Sequence, residues 1–329
     1  MRRDRLTLAG LAVLVLVLFL VSLLIGPAAA GIGASLRALA SGEGPLGIVM
    51  REIRLPRALL GLLIGAGLGA SGAALQGYLR NPLAEPGLLG ISGTAGLGAV
   101  IALYSGLAAA FPFALPLAAL TGGAIATILV QLLAGAGGGA ITLILAGIAI
   151  SSLATALTAL VLNLAPNPFA ASEIVTWMLG SLTDRAMPDV WLAGPLILAG
   201  LGLLMTLGRA LDALTLGEDA AASMGVTLGR TRLLAVLGSA LAVGAGVAVA
   251  GAIGFVGLVV PHLLRPLTGG RPSRLLPASA LGGAALLLAA DVTVRLIAPD
   301  RDLKLGVLTA LVGAPFFLWL VWRGRRQFA

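Results

Sequence analysis

Long apolar runs dominate the chain, broken by short polar or glycine- and proline-rich punctuation. Ten such runs fall at about 6–26, 57–78, 91–108, 113–134, 141–163, 189–208, 230–250, 254–268, 276–297 and 305–323. A bilayer core takes about 20 apolar residues as a helix. Lipid offers no water to satisfy backbone polar groups, so each run is predicted to be helical. The eighth run is short and carries Pro261, which predicts a tilt or a break. The expected fold is a single all-α polytopic membrane domain over 1–329, with about ten transmembrane helices.

Small residues pattern these runs further. In "GLLIGAGLGASGAALQG", Gly61, Gly65 and Gly69 recur every four positions, and Ala73 and Gly77 continue the line. A helix face without side chains lets another helix approach closely. The seventh run, with Gly238, Gly244, Gly246 and Gly251, has similar texture and crosses in the opposite direction. That suggests a faint inverted repeat of the kind found in transporters.

Three stretches depart from the apolar pattern. The fifth run carries Ser151, Thr155 and Thr158 at i, i+4 and i+7, with Ser152 beside them. Either these hydroxyls bond the carbonyls of their own helix, or they wall a water-filled pathway. "LRNPLAEPGLLGIS" joins the second and third runs, and its Pro82 and Pro86 predict a rigid turn. "LTLGEDAAASMGV" joins the sixth and seventh. There Thr215 or Gly217 can cap a short helix, Glu218 and Asp219 suit its positive N-terminal end, and Gly225 can terminate it in the left-handed conformation. Ala221, Ala222, Ser223 and Met224 give that helix a small-residue surface with one flexible apolar knob, suited either to docking in a protein groove or to lying on the membrane.

Composition agrees with the pattern. The 329 residues are 59% hydrophobic and only 10% charged, against about 25% charged in soluble domains. Cysteine is absent, which excludes disulfides and thiolate metal sites. The net charge of +8 comes from arginine, since Lys304 is the only lysine. It reads as loop charge anchoring the cytoplasmic face, not as a nucleic-acid surface. The opening "MRRDR", an apolar run and "PAAAG" resemble a signal peptide cleaved after Ala30. The run is longer than the usual 7–15 residues, so it reads as a retained first span with its start inside.

With both ends inside, 13 of the 21 basic residues fall in cytoplasmic segments, the expected sign of bias. Eight fall outside: Arg37, Arg51, Arg54, Arg57, Arg185, Arg295, Arg301 and Lys304. The cluster "REIRLPR" is the anomaly; either the topology fails there or those arginines have a task.

Candidate chemistry is sparse. A phosphate-binding loop needs Lys followed by Ser or Thr, and Lys304 is followed by Leu305. ATP hydrolysis would therefore sit on another polypeptide. Asp291 precedes Arg295 by four residues, which reads as a local ion pair and not a proton relay. His262, the only histidine, reads as packing and not as a metal or haem ligand. An ion-coupled secondary carrier, the alternative reading, would depend on Asp291 or Glu173.

Five stretches carry a family resemblance: "RLPRALLGLLIGAGLGASGAALQGYLRNPLAEPGLLGISGTAG", "LGEDAAASMGV", "GFVGLVVPHLLR", "LLLAADVTVR" and "LGVLTALVGAPFFLWL". In this order they resemble the FecCD-type permease subunits of ATP-binding-cassette importers for iron–siderophore complexes, haem and cobalamin. The resemblance implies an inverted-repeat, type II importer permease fold of ten helices, with both termini cytoplasmic, in the bacterial inner membrane. It implies a homodimer whose interface forms the pathway, two ATPase subunits below that bind ATP and magnesium, and an extracytoplasmic binding protein. No catalytic, cofactor or metal site is implied on this chain. Gly217, Glu218, Asp219, Ala220, Ala221, Ser223, Met224 and Gly225, within about 215–226, correspond to the coupling helix. Arg54, Arg57 and Arg295 match arginines that receive acidic residues of the binding protein, lipid headgroups being the other partner considered. "RDLKLGVLTA" departs from the pattern, with Lys304 where a proline is usual.

Overall fold

The computed structural model describes residues 2–26, 30–111, 113–135, 139–165, 167–298 and 303–328, with side chains described within 4–322. Arg301 and Asp302 lie outside the described residues. The elements are, in order, α1 (Arg2–Leu24), α2 (Ile32–Ser41), α3 (Gly44–Ile48), a π-helical stretch (Val49–Arg54), α4 (Leu55–Tyr78), a 3₁₀ turn (Pro86–Leu89), α5 (Ile91–Tyr104), α6 (Leu107–Ala110), α7 (Ala114–Ala134) and α8 (Ala140–Asn163). Then follow α9 (Pro168–Met178), α10 (Met187–Met205), α11 (Gly208–Leu214), α12 (Glu218–Ser223), α13 (Leu228–Ala250), α14 (Val256–Leu264), α15 (Pro272–Ile297) and α16 (Leu305–Phe328).

All ten predicted runs contain helix, and eight helices are long and apolar enough to cross a membrane by themselves. The two short ones are α5 and α14. Each follows a glycine-rich long helix and an irregular segment: 79–90 between α4 and α5, and 251–255 between α13 and α14. The first segment is not the simple cytoplasmic turn that its prolines predict. A Cβ on Gly147, in α8, would collide with the Leu88 carbonyl. Gly147 lies seven residues into α8, about 10 Å along its axis. Segment 79–90 thus turns back into the bundle, and α5 starts at depth.

The centre is α4, 83% buried over its apolar window. Its glycine line meets α15: Gly65 lies on the backbone of Gly283 and Ala284, and Gly69 on that of Ser279. Gly61 accommodates Leu288 and Gly77 accommodates Leu211. At Gly65 and Gly69 backbone approach replaces side-chain interdigitation, and van der Waals packing of this kind drives helix association where lipid removes the hydrophobic drive. On its other side α4 packs on α13, with Gly67 on Ala242 and Gly246 on Ile64. Leucines and isoleucines on α7, α8, α10 and α16 stay exposed, including Leu132, Ile141, Leu198 and Leu311. These faces suit lipid or a neighbouring subunit.

Alternating direction follows from two clusters of contacts. Asp4 pairs with Arg274 at 2.9 Å, and Arg80 with Glu218 at 3.5 Å, which gathers the starts of α1 and α15, the end of α4 and α12 at one end. The ends of α1 and α15 and the start of α4 meet at the other, through Ser22, Arg54, Arg57, Asp291 and Arg295. For α1, α4 and α15 this is the alternation predicted from the sequence.

Candidate functional site

At the cytoplasmic end, α12 has the caps that its sequence predicts. Gly217 precedes it at φ +108 and Gly225 follows at φ +84. The Val226 N–H donates to the Ala221 carbonyl at 3.0 Å and the Gly225 N–H to that of Ala222 at 2.9 Å. This pair is a Schellman termination, which needs a left-handed residue and is cheapest with glycine. Ser223 Oγ donates back to the Asp219 carbonyl at 2.9 Å.

One face of α12 is anchored and the other is free. Ala221 is fully buried against the bundle, whereas Asp219, Ala222, Ser223, Met224 and Gly225 are exposed. Met224 is 64% exposed and neighbouring Leu216 69%, large apolar groups projecting from a polar end of the molecule. Behind α12, α11 fixes the mount. Asp212 accepts the Ser273 N–H at 2.9 Å and the Ser273 hydroxyl at 2.6 Å, which ties α11 to the first turn of α15. Leu211 packs on Gly77 of α4. α11, which leads into α12, is thus held to both α4 and α15, the pair joined by backbone contact. An open cavity of about 440 Å³ adjoins Met224, bounded by Arg209 and Arg230 among others.

At the opposite end two of the three arginines of "REIRLPR", Arg54 and Arg57, turn inward. The π-helical stretch Val49–Arg54 resets the register just before α4. Arg54 is 3% exposed and donates to the carbonyls of Leu23 and Leu24 at 3.1 and 3.0 Å. Arg295 donates to those of Ser22 and Ile25, each at 2.8 Å, and to the Ser22 hydroxyl at 2.6 Å. The last carbonyls of a helix have no partner within it. Here two guanidiniums supply one, at the negative end of the dipole. Asp291, 1% exposed, pairs with Arg57 at 2.9 Å and Arg295 at 2.8 Å. The ion pair predicted between Asp291 and Arg295 is thus present and extends to Arg57 on α4. The charge anomaly has its reason for Arg54 and Arg57, whose side chains are largely internal. Arg51, exposed, donates to the carbonyls of Leu39 and Ala40 and closes α2.

The hydroxyl line on α8 does not form one uniform face. Thr155 is exposed and donates to its own helix at the Ser151 carbonyl, 2.8 Å away. Ser152 is exposed, Ser151 is half-buried and Thr158 is buried. His262 packs edge-on against Phe316, with ring centres 5.7 Å apart. Among the described residues no three His, Asp or Glu side chains are grouped to hold a metal ion.

Some structured parts had little signal in the sequence. α2 and α9 lie between the apolar runs and are too short for a membrane pattern, though Asn167 caps α9 by accepting the Ala170 N–H at 2.9 Å. The 3₁₀ turn and the α4–α14 contacts depend on distant neighbours.

Known proteins with this arrangement are similar along nearly the whole length. The iron(III) dicitrate transport permease FecD of Escherichia coli is 41% identical, over 84% of this chain and 86% of its own. The hemin transport permease HmuU of Yersinia pestis is 39% identical over 84% of each. A vitamin B12 import permease, BtuC of Klebsiella pneumoniae, is 40% identical over 98% of this chain and 96% of its own. The inward-facing structure of a transporter assigned to the metal-chelate ABC type superposes with a TM-score of 0.85, at 32% identity, covering 96% of this chain and 98% of that one. PsaBC of Streptococcus pneumoniae shares the fold alone, at a TM-score of 0.55 and 20% identity over 88% of this chain and 94% of its own. The family matches over residues 14–323, and the chain, a multi-pass protein of the cytoplasmic membrane, belongs to the FecCD transport family.

Proposed function

We propose that this chain is the membrane permease subunit of an ATP-binding-cassette importer that brings a metal chelate into the cytoplasm. Relatives named for iron citrate, hemin and vitamin B12 support that substrate class. Two copies form the pathway at their interface, two ATPase subunits bind below, and a binding protein delivers substrate from outside. ATP and magnesium belong to the ATPases. The chain performs no covalent chemistry and works by alternating access. Its 329 residues form one transmembrane domain, with α12 and its caps as the coupling element.

The observation that carries this reading is the mounting of α12. It is short, capped at both ends, buried on one side at Ala221, and presents Asp219, Met224 and Gly225 outward. An exposed apolar knob on a rigid polar helix fits a groove in a partner. On the other face, Arg54, Arg57 and Arg295 outnumber Asp291, which gives a positive field that attracts an acidic binding protein. Their guanidiniums are already engaged, so their role in docking is attraction at a distance before any bidentate contact. Ser152 and Thr155, exposed on α8, with half-buried Ser151 beside them, supply a weakly polar wall for a bulky substrate, while Thr158 is buried within the chain.

Replacing both Glu218 and Asp219 with Arg tests the reading. The positive end of α12 then carries two cations in place of two anions, at about 0.3–1 kcal/mol per charge from the dipole alone. The expected result is normal membrane insertion with loss of ATPase association and of ATP-driven uptake. Pull-down of the ATPase and uptake into vesicles measure both; undiminished uptake overturns the reading.

A further inference from the structure

The two irregular segments that interrupt the short spans touch each other. Glu85 Oε1 accepts the Phe255 N–H at 2.7 Å. Pro86 lies against Gly257, where a Cβ would come within 2.7 Å of the ring. Gln76, near the end of α4, donates to the carbonyls of Gly257 and Leu258 at 3.4 Å each, and accepts from Arg265 at 2.9 Å. The break before α5 is thereby pinned to the break before α14. Broken helices in corresponding places of two repeats mark the moving or binding part of many transporters. Irregular backbone at membrane depth persists only where its polar groups find partners.

Two further features place this junction under load. Phe255 adopts φ +66 and Arg80 φ +48, left-handed conformations that non-glycine side chains rarely hold without support. Arg80 also reaches Glu218 of α12. Phe255 in turn abuts Gly313 of α16 and stands between two apolar cavities, of about 650 and 210 Å³. A continuous series of contacts therefore leads from α12 through Arg80 and segment 79–90 to Glu85, and from Glu85 to Phe255 and α16.

We propose that Glu85 is a positioning residue for transport: by holding the Phe255 N–H it passes displacement of the coupling helix to the break between α13 and α14. The proposal rests on the permease reading above. Without the carboxylate, α12 can still engage an ATPase, but the break no longer follows it.

The test needs no knowledge of the substrate. The chain has no cysteine, so Ala252→Cys, an exposed site in the break, serves as a single reporter in the permease–ATPase complex in nanodiscs. Its rate of maleimide labelling is measured without nucleotide and after trapping with ATP and vanadate. The expected result is a several-fold nucleotide effect that Glu85→Ala abolishes while ATP hydrolysis continues. Glu85→Gln, which keeps an acceptor oxygen, should retain the effect. A reporter that responds equally in Glu85→Ala overturns the proposal, as does one that never responds. If Glu85→Ala loses assembly and hydrolysis together, the residue is structural and the proposal fails. If no complex with an ATPase forms even for the unsubstituted chain, the permease reading falls and takes this inference with it.

Discussion

Asp291→Ala is expected to destabilise the protein by about 3–5 kcal/mol, the usual consequence of removing one partner from a buried ion cluster. Asp291 is 1% exposed, and the side chains of Arg57 and Arg295 are 14% and 11% exposed. With the carboxylate gone, Arg57 loses its contact with α15, and two cations face each other beside a third, Arg54. Arg295 keeps the Ser22 and Ile25 carbonyls, which offset only part of the loss. Thermal unfolding in detergent should show a marked fall for Asp291→Ala. Arg57→Met combined with Asp291→Leu should fall less, because it leaves one unpaired cation instead of two, and that one, Arg295, keeps the Ser22 and Ile25 carbonyls. An unchanged melting temperature for the single substitution would mean that water already screens the cluster.

Gly69→Val should be nearly as damaging, at about 3 kcal/mol or more, the upper part of the range for overpacking. The added Cβ would overlap the Ser279 carbonyl, and Gly283 lies beside it. Backbone atoms cannot rotate aside as a side chain does. The helices must separate along α4–α15, which also loosens the Gly65–Gly283 contact. Size-exclusion profiles and melting temperature in detergent provide the measurement. Gly10→Val, where a Cβ meets nothing within 4 Å, is the matched control and should be silent. Equal behaviour of the two variants would show that close approach at Gly69 is dispensable.

Legibility differed between parts of the molecule for physical reasons. The glycine line from Gly61 to Gly77 was readable because a small-residue face every fourth position has one main use, close helix contact. It named the face, while the partner, α15, depended on how distant segments fold together. α12 was readable almost residue by residue: Gly217, Glu218, Asp219 and Gly225 act through local capping and dipole effects that need no tertiary neighbour. The arginines of "REIRLPR" show the opposite case. Their charge was evident, but the burial of Arg54 against the end of α1 and the pairing of Arg57 with Asp291 require segments far apart in the chain to meet.

The amino-acid sequence by itself determined the helical class, the length of the spans and the capped form of α12, because apolar length and capping residues act within one segment. The tertiary structure alone decided that segment 79–90 turns back into the bundle, that Arg57 joins Asp291, and that Glu85 holds Phe255. Those features are single hydrogen bonds and contacts between residues far apart in the chain, and no local propensity encodes which of many buried polar groups will meet.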